Sequence, residues 1–155
     1  MSKTLSLNLA LILLFSAFAY AVDPASEKLL TANDVEQTTG LQGIKLIPRN
    51  PVIGAGGDLN FALQDNTMVL TVAIQDSSMY ERWKGEEGFF HAAVPGIGDE
   101  AFNGPTFGEH RYVLIFRKGK TAVSLSSFIN MKAGGEPYLN QEKLQALARI
   151  MISRI

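Results

Sequence analysis

Between residues 59 and 74 large apolar side chains recur at every second position. Leu59, Phe61 and Leu63 alternate with Asn60, Ala62 and Gln64. After Asp65-Asn66 the same period returns in Met68, Leu70, Val72 and Ile74. A period of two belongs to a strand with one buried face, so the stretch predicts a hairpin turning at Asp65-Asn66. A second hairpin follows from Tyr112, Leu114 and Phe116, interleaved with Arg111, Val113, Ile115 and Arg117. It turns at Lys118-Gly119 and returns as "TAVSLSSFI". "GIKLIP" predicts one more strand, ended by Pro48.

Helical spacing occurs in three places. Thr31 can cap a helix over about Ala32 to Thr39, with Asp34 completing a capping box and Gly40 closing it. Asp76 or Ser77 can open a second, running to about Lys84 with Met79, Tyr80 and Trp83 on one side and Gly85 at its end. Asn140 opens the third, whose Leu144, Leu147, Ala148, Met151 and Ile155 form an apolar stripe. Residues 49–57 and 86–110 carry Gly and Pro without a period and read as irregular. The expected order is α-β-β-β-α-β-β-α. That is an α+β fold, a central antiparallel sheet of about five strands with helices packed on it.

The N-terminus changes the compartment. Lys3, the apolar run Leu9 to Phe18 and the small-residue site Ala19-Tyr20-Ala21 together predict a secretory signal peptide over residues 1–21. Cleavage is expected between Ala21 and Val22, releasing the chain to the periplasm or the medium. A short polar lead, 22–28, would then precede a single α+β domain, 29–155. No later stretch is long and apolar enough to span a bilayer. The chain has no cysteine, which removes thiol catalysis, thiolate metal sites, disulfides and lipid attachment at an N-terminal cysteine. With N-x-S/T acceptor sites also absent, a bacterial source is inferred. The formal net charge of −1, without a Lys/Arg cluster, speaks against nucleic acid as a partner.

Two motifs invite a nucleotide reading. Gly96-Ile97-Gly98-Asp99-Glu100-Ala101 fits G-x-G-x-x-A. A dinucleotide loop, however, leaves a buried strand and opens a helix onto the phosphates. Here Pro95 precedes it, Asp99 and Glu100 would face an anion, and Asn103-Gly104-Pro105 would break a helix within a turn. A structural turn built on Gly96 and Gly98, with Phe102 in the core and Asp99 and Glu100 outside, is expected instead. "GKT" at Gly119 to Thr121 lacks the earlier glycine of a phosphate loop and continues as a strand.

Catalytic material is sparse. His91 and His110 lack metal-ligand spacing, so neither a metal nor a catalytic residue is assigned, and no cofactor is expected. Ser124, Ser126 and Ser127 sit on a strand without a nucleophile-elbow sequence and are expected to face solvent. The best candidate region is the aromatic middle of the chain. Tyr80, Trp83, Phe89, Phe90, His91 and His110 could line a ligand groove, with Phe102 and Phe107 nearby.

"LLTANDVEQTTG", "VPGIGDEAF", "YVLIFRKGKTAVSL" and the terminal amphipathic helix together resemble a group of small exported bacterial domains of unknown function. Many of these are lipoproteins, and the resemblance implies a fold similar to the PsbP-type α/β/α sandwich over most of residues 29–155. This sequence departs from the lipoprotein members in lacking the lipid-bearing cysteine. The resemblance implies an accessory or sensing module and transfers no catalytic residue. The leading expectation is thus an exported, non-enzymatic binding or accessory module for a small molecule or envelope protein. A small metal- or His-dependent hydrolase and a structural envelope component are the alternatives.

Overall fold

The computed structural model describes residues 24–53, 56–105 and 110–155. The signal-peptide expectation at 1–21 and Phe107 lie outside them. Pro24–Glu27 forms a one-turn helix, α1, within the segment expected to be a plain polar lead. Helix α2 spans Ala32–Thr39. Thr31 Oγ1 accepts the Asp34 N–H at 3.2 Å, and the Asp34 carboxylate accepts the Thr31 N–H at 2.8 Å. Two orphan amides at the helix start are satisfied reciprocally, and Gly40 ends the helix at φ 77°.

The strands are β1 (Lys45–Ile47), β2 (Leu59–Ala62) and β3 (Met68–Asp76). After helix α3 (Ser77–Gly85) come β4 (Ala92–Ala93), β5 (Glu100–Asn103), β6 (His110–Lys118), β7 (Thr121–Asn130) and β8 (Glu136–Pro137). Helix α4 (Gln141–Ile152) closes the chain. All strands join one 8-stranded antiparallel sheet ordered β1-β2-β3-β7-β6-β5-β4, with β8 paired to the end of β7. The fold is α+β, as the periodicity implied, but two expectations are corrected. The sheet has eight strands instead of about five, and the order α-β-β-β-α-β-β-α omits β4, β5 and β8. β4 and β8 have two residues each, and β5 sets its two buried residues, Ala101 and Phe102, side by side instead of alternating, so none displays a period; they form because neighbouring strands offer them paired edges. Pro137 is tolerated because β8 lies at a margin of the sheet, where a missing N–H costs no ladder bond.

The sheet buries both faces. On one, Leu59, Phe61, Leu70, Val72, Leu114, Phe116, Val123 and Leu125 join Val35 of α2 and Leu144, Leu147, Ala148 and Met151 of α4 in a single core. On the other, Phe102, Val113, Ile115 and Ala122 meet Tyr80 of α3, with Trp83 and Phe89 packed alongside. Burial on both sides overturns the expectation for the serines. Ser126 and Ser127 are buried, and Ser124 is half-buried. Ser127 Oγ accepts the Leu139 N–H at 2.9 Å, so the hydroxyl secures the approach to α4 instead of facing water.

Candidate functional site

Helix α3 starts because the Asp76 carboxylate accepts the Ser78 N–H at 2.9 Å. Its three-to-four-residue spacing brings Tyr80 and Lys84 to the same side, above the β5 end of the sheet. Facing them, the chain leaves β4 through Val94 and Pro95, turns at Gly96, and enters β5 at Glu100. Val94 and Ile97 fold inward into the main core, while Pro95, Gly96 and Gly98 stay outside. Gly96 has φ 74° and Gly98 φ 58°. At Gly98 any side chain would also collide with the Arg117 carbonyl oxygen, whereas at Gly96 nothing lies close. The segment Gly96 to Ala101 therefore runs from a turn into a strand and opens no helix.

Between α3 and this loop lies a groove of about 520 Å³. Tyr80, Lys84, Phe90, Val94, Ile97 and Glu100 are among its walls. Phe90 is 45 % exposed and its ring lies 5.4 Å from that of the fully buried Phe102, which also meets Tyr80 edge-on at 5.4 Å. The three aromatics thus form a short stack from the core to the groove mouth.

Charged groups border the stack. Lys84 Nζ donates to Glu100 Oε2 at 2.9 Å, with both side chains about half exposed. The guanidinium of Arg117 lies 5.8 Å from the Tyr80 ring centre, 3.8 Å from the Asp99 carboxylate and 4.0 Å from that of Glu81. Asp99 is spent on the neighbouring hairpin: its Oδ2 accepts the Gly119 N–H at 2.7 Å, and Lys118 Nζ reaches its Oδ1 at 3.4 Å. The Gly119 amide, then Lys118 and Arg117, hold that carboxyl below its ordinary value. Burial, reinforced by the negative charge of Glu100, pushes the Tyr80 hydroxyl up to about 12. Tyr80 therefore keeps its proton at physiological pH.

Of the six aromatic and histidine positions singled out in the sequence, Tyr80 and Phe90 line the groove. Trp83 and Phe89 instead pack beside the second core. His91 is exposed, its Nε2 3.1 Å from the Gly88 carbonyl oxygen. His110 begins β6, and its side chain lies outside the described set. Gly96, Gly98, Asp99 and Glu100 do double duty, forming both the turn and one groove wall. Lys84 escaped the sequence reading, although its four-residue spacing from Tyr80 was a usable signal. Val94 and Ile97 carry none, because the strands that flank them, Ala92–Ala93 and Glu100–Asn103, show no alternation. Among the described residues no group of three or more His, Asp or Glu side chains is placed to hold a metal ion, and no helix is long and apolar enough to cross a membrane. Comparison with protein-family models, curated proteins and solved structures finds no match to this chain.

Proposed function

We propose that this chain is an exported, non-enzymatic binding or accessory module that takes a small, largely apolar ligand in the groove between α3 and the β4–β5 loop. The groove itself carries the reading. Its volume of about 520 Å³ falls within the roughly 300–1,000 Å³ typical of ligand pockets. Phe90 stands half in solvent at its mouth, so a covering ligand would remove apolar surface from water at about 25 cal/mol per Å². Export behind a signal peptide, and kinship with the small exported bacterial domains of PsbP-like build, belong to the same proposal. The hydrolase alternative has less support, because the His91 ring nitrogen is already engaged with the Gly88 carbonyl.

The test is a thermal-shift screen of the purified protein against small apolar and amphipathic compounds, repeated on Phe90→Ala. A saturable shift in the parent that weakens in the variant, each measured from its own unliganded midpoint, is the expected result. A screen without any saturable shift would overturn the reading.

A second observation favours association with another envelope component. Val52 is 91 % and Met131 72 % exposed, and Ile53 and Met131 border one groove with Tyr138. Single exposed apolar residues are common, but three on neighbouring turns suit a contact surface. Sedimentation with and without Met131→Glu, alone and in envelope extract, separates this role from ligand binding.

A further inference from the structure

We propose that Asn103-Gly104 is a covalent modification site gated by the fold, sheltered while β5 is paired and converted to aspartate or isoaspartate once that pairing opens. Asn103 is the one asparagine of the chain that precedes a glycine. At such a step the backbone nitrogen of the glycine attacks the side-chain carbonyl carbon of the asparagine. The new N–C bond closes a succinimide ring. The Cγ–Nδ2 bond breaks, and the side-chain nitrogen leaves as ammonia, taking the backbone amide proton with it. Water then opens the ring at either carbonyl, giving aspartate or, with the chain rerouted through the side chain, isoaspartate. Water is the only co-reactant. Glycine favours the attack because it has no Cβ to crowd the nitrogen and turns freely.

The fold restrains both reacting groups. Gly104 donates its N–H to the Val113 carbonyl at 2.9 Å, and the Asn103 carbonyl accepts the His91 N–H at 3.0 Å. Asn103 is thus held between β4 and β6, opposite Ala92 on one side and Leu114 on the other. Ring closure needs the Asn103 backbone to leave its extended form and the Gly104 nitrogen to give up its hydrogen, so these bonds must open first. The side chain adds no lock of its own, since Asn103 Oδ1 is buried without a hydrogen-bond partner. Nor does a larger residue at 104 fit without repacking. A Cβ there would lie 3.0 Å from both Ile115 Cδ1 and Val113 Cγ1, in the core under α3. Packing therefore keeps the glycine that makes the step labile.

Conversion changes the sheet. A carboxylate replaces a neutral amide at a half-buried position, and isoaspartate adds a methylene to the backbone where β5 meets both neighbours. The short β4 is registered to β5 at Ala92 opposite Asn103 and Ala93 opposite Phe102, and Ala93 and Val94 wall the groove. A chain modified here loses the register that sets that wall.

The experiment incubates the full chain in mildly alkaline buffer across a urea series and follows each asparagine by mass-spectrometric peptide mapping. Beyond the unfolding midpoint Asn103 should convert faster than any other asparagine. In buffer alone it should convert at least about tenfold more slowly, because opening costs free energy, and across the series its rate should track the unfolded fraction seen by circular dichroism. Asn103→Ser should abolish the signal in high urea, where its ability to fold does not matter. Conversion as fast in buffer as in urea overturns the gating, and no preference for Asn103 in the unfolded chain overturns the site. After dilution from urea, converted chains should refold with a lower midpoint than unconverted ones. An equal midpoint overturns the effect on the sheet.

Discussion

Arg154 grips Asp34 with both ends of its guanidinium, Nη1 to Oδ2 at 2.6 Å and Nη2 to Oδ1 at 3.0 Å, across 120 positions of sequence. The same carboxylate closes the capping box of α2, so one side chain both starts the first long helix and anchors the residues beyond the last. The hydrogen bonds from Arg154, then those from Thr31, outweigh burial and lower the Asp34 carboxyl from 3.8 to about 2.

A depressed carboxylate stabilises the fold fully above its unfolded value and loses that contribution as pH falls through the folded one. The Asp34 contribution, on the order of 2 kcal/mol, should therefore be intact at neutral pH and decline between 3.8 and about 2. Urea denaturation of the parent and of Asp34→Asn across that range measures it. The variant should be weaker at neutral pH and should approach the parent under acid. Arg154→Met should behave alike, which separates the ion pair from the cap.

Gly98 and Gly96 should respond differently to substitution. Gly96→Ala meets no neighbour and carries only its left-handed backbone, a cost of about 1–2 kcal/mol. Gly98→Ala adds a collision with the Arg117 carbonyl oxygen and should lose clearly more, with Gly98→Val worse still. Denaturant midpoints rank the three. NAD, ATP and FMN should give no thermal shift in the parent. A saturable shift with one of them, abolished by Gly98→Val at unchanged unliganded stability, would restore the nucleotide reading.

Leu147 is fully buried among the α4 residues that meet the sheet. Leu147→Ala should destabilise by about 2–5 kcal/mol through lost burial and the cavity left behind. A guanidinium midpoint that hardly moves would show that α4 docks elsewhere in solution.

The proposed export makes a prediction of its own. Intact-mass measurement of the protein recovered outside the cytoplasm should place Val22 at its start, as the Ala19-Tyr20-Ala21 site requires. A membrane-bound form that retains Met1 or Ser2 would contradict it.

The elements legible in the sequence are those stabilised by their own residues. Thr31 and Asp34, Asp76 and Asn140 start helices through bonds to backbone amides two or three positions away, and the chain alone contains both partners. The long strands β3, β6 and β7 announce themselves by a period repeated often enough to be counted. Short strands do not: Ala92–Ala93 and Glu136–Pro137 are strands because β5 and β7 lie beside them. The same division runs through the candidate site. The sequence brought Tyr80, Phe90 and the Gly96–Glu100 turn into consideration, since aromatic clustering and glycine punctuation are local signals. Only the tertiary structure could set Lys84 against Glu100, lay Arg117 over Tyr80, or turn Ser126 and Ser127 inward. Each of those contacts depends on which strands become neighbours and which face α3 covers, and that choice is made by burial summed over the whole sheet.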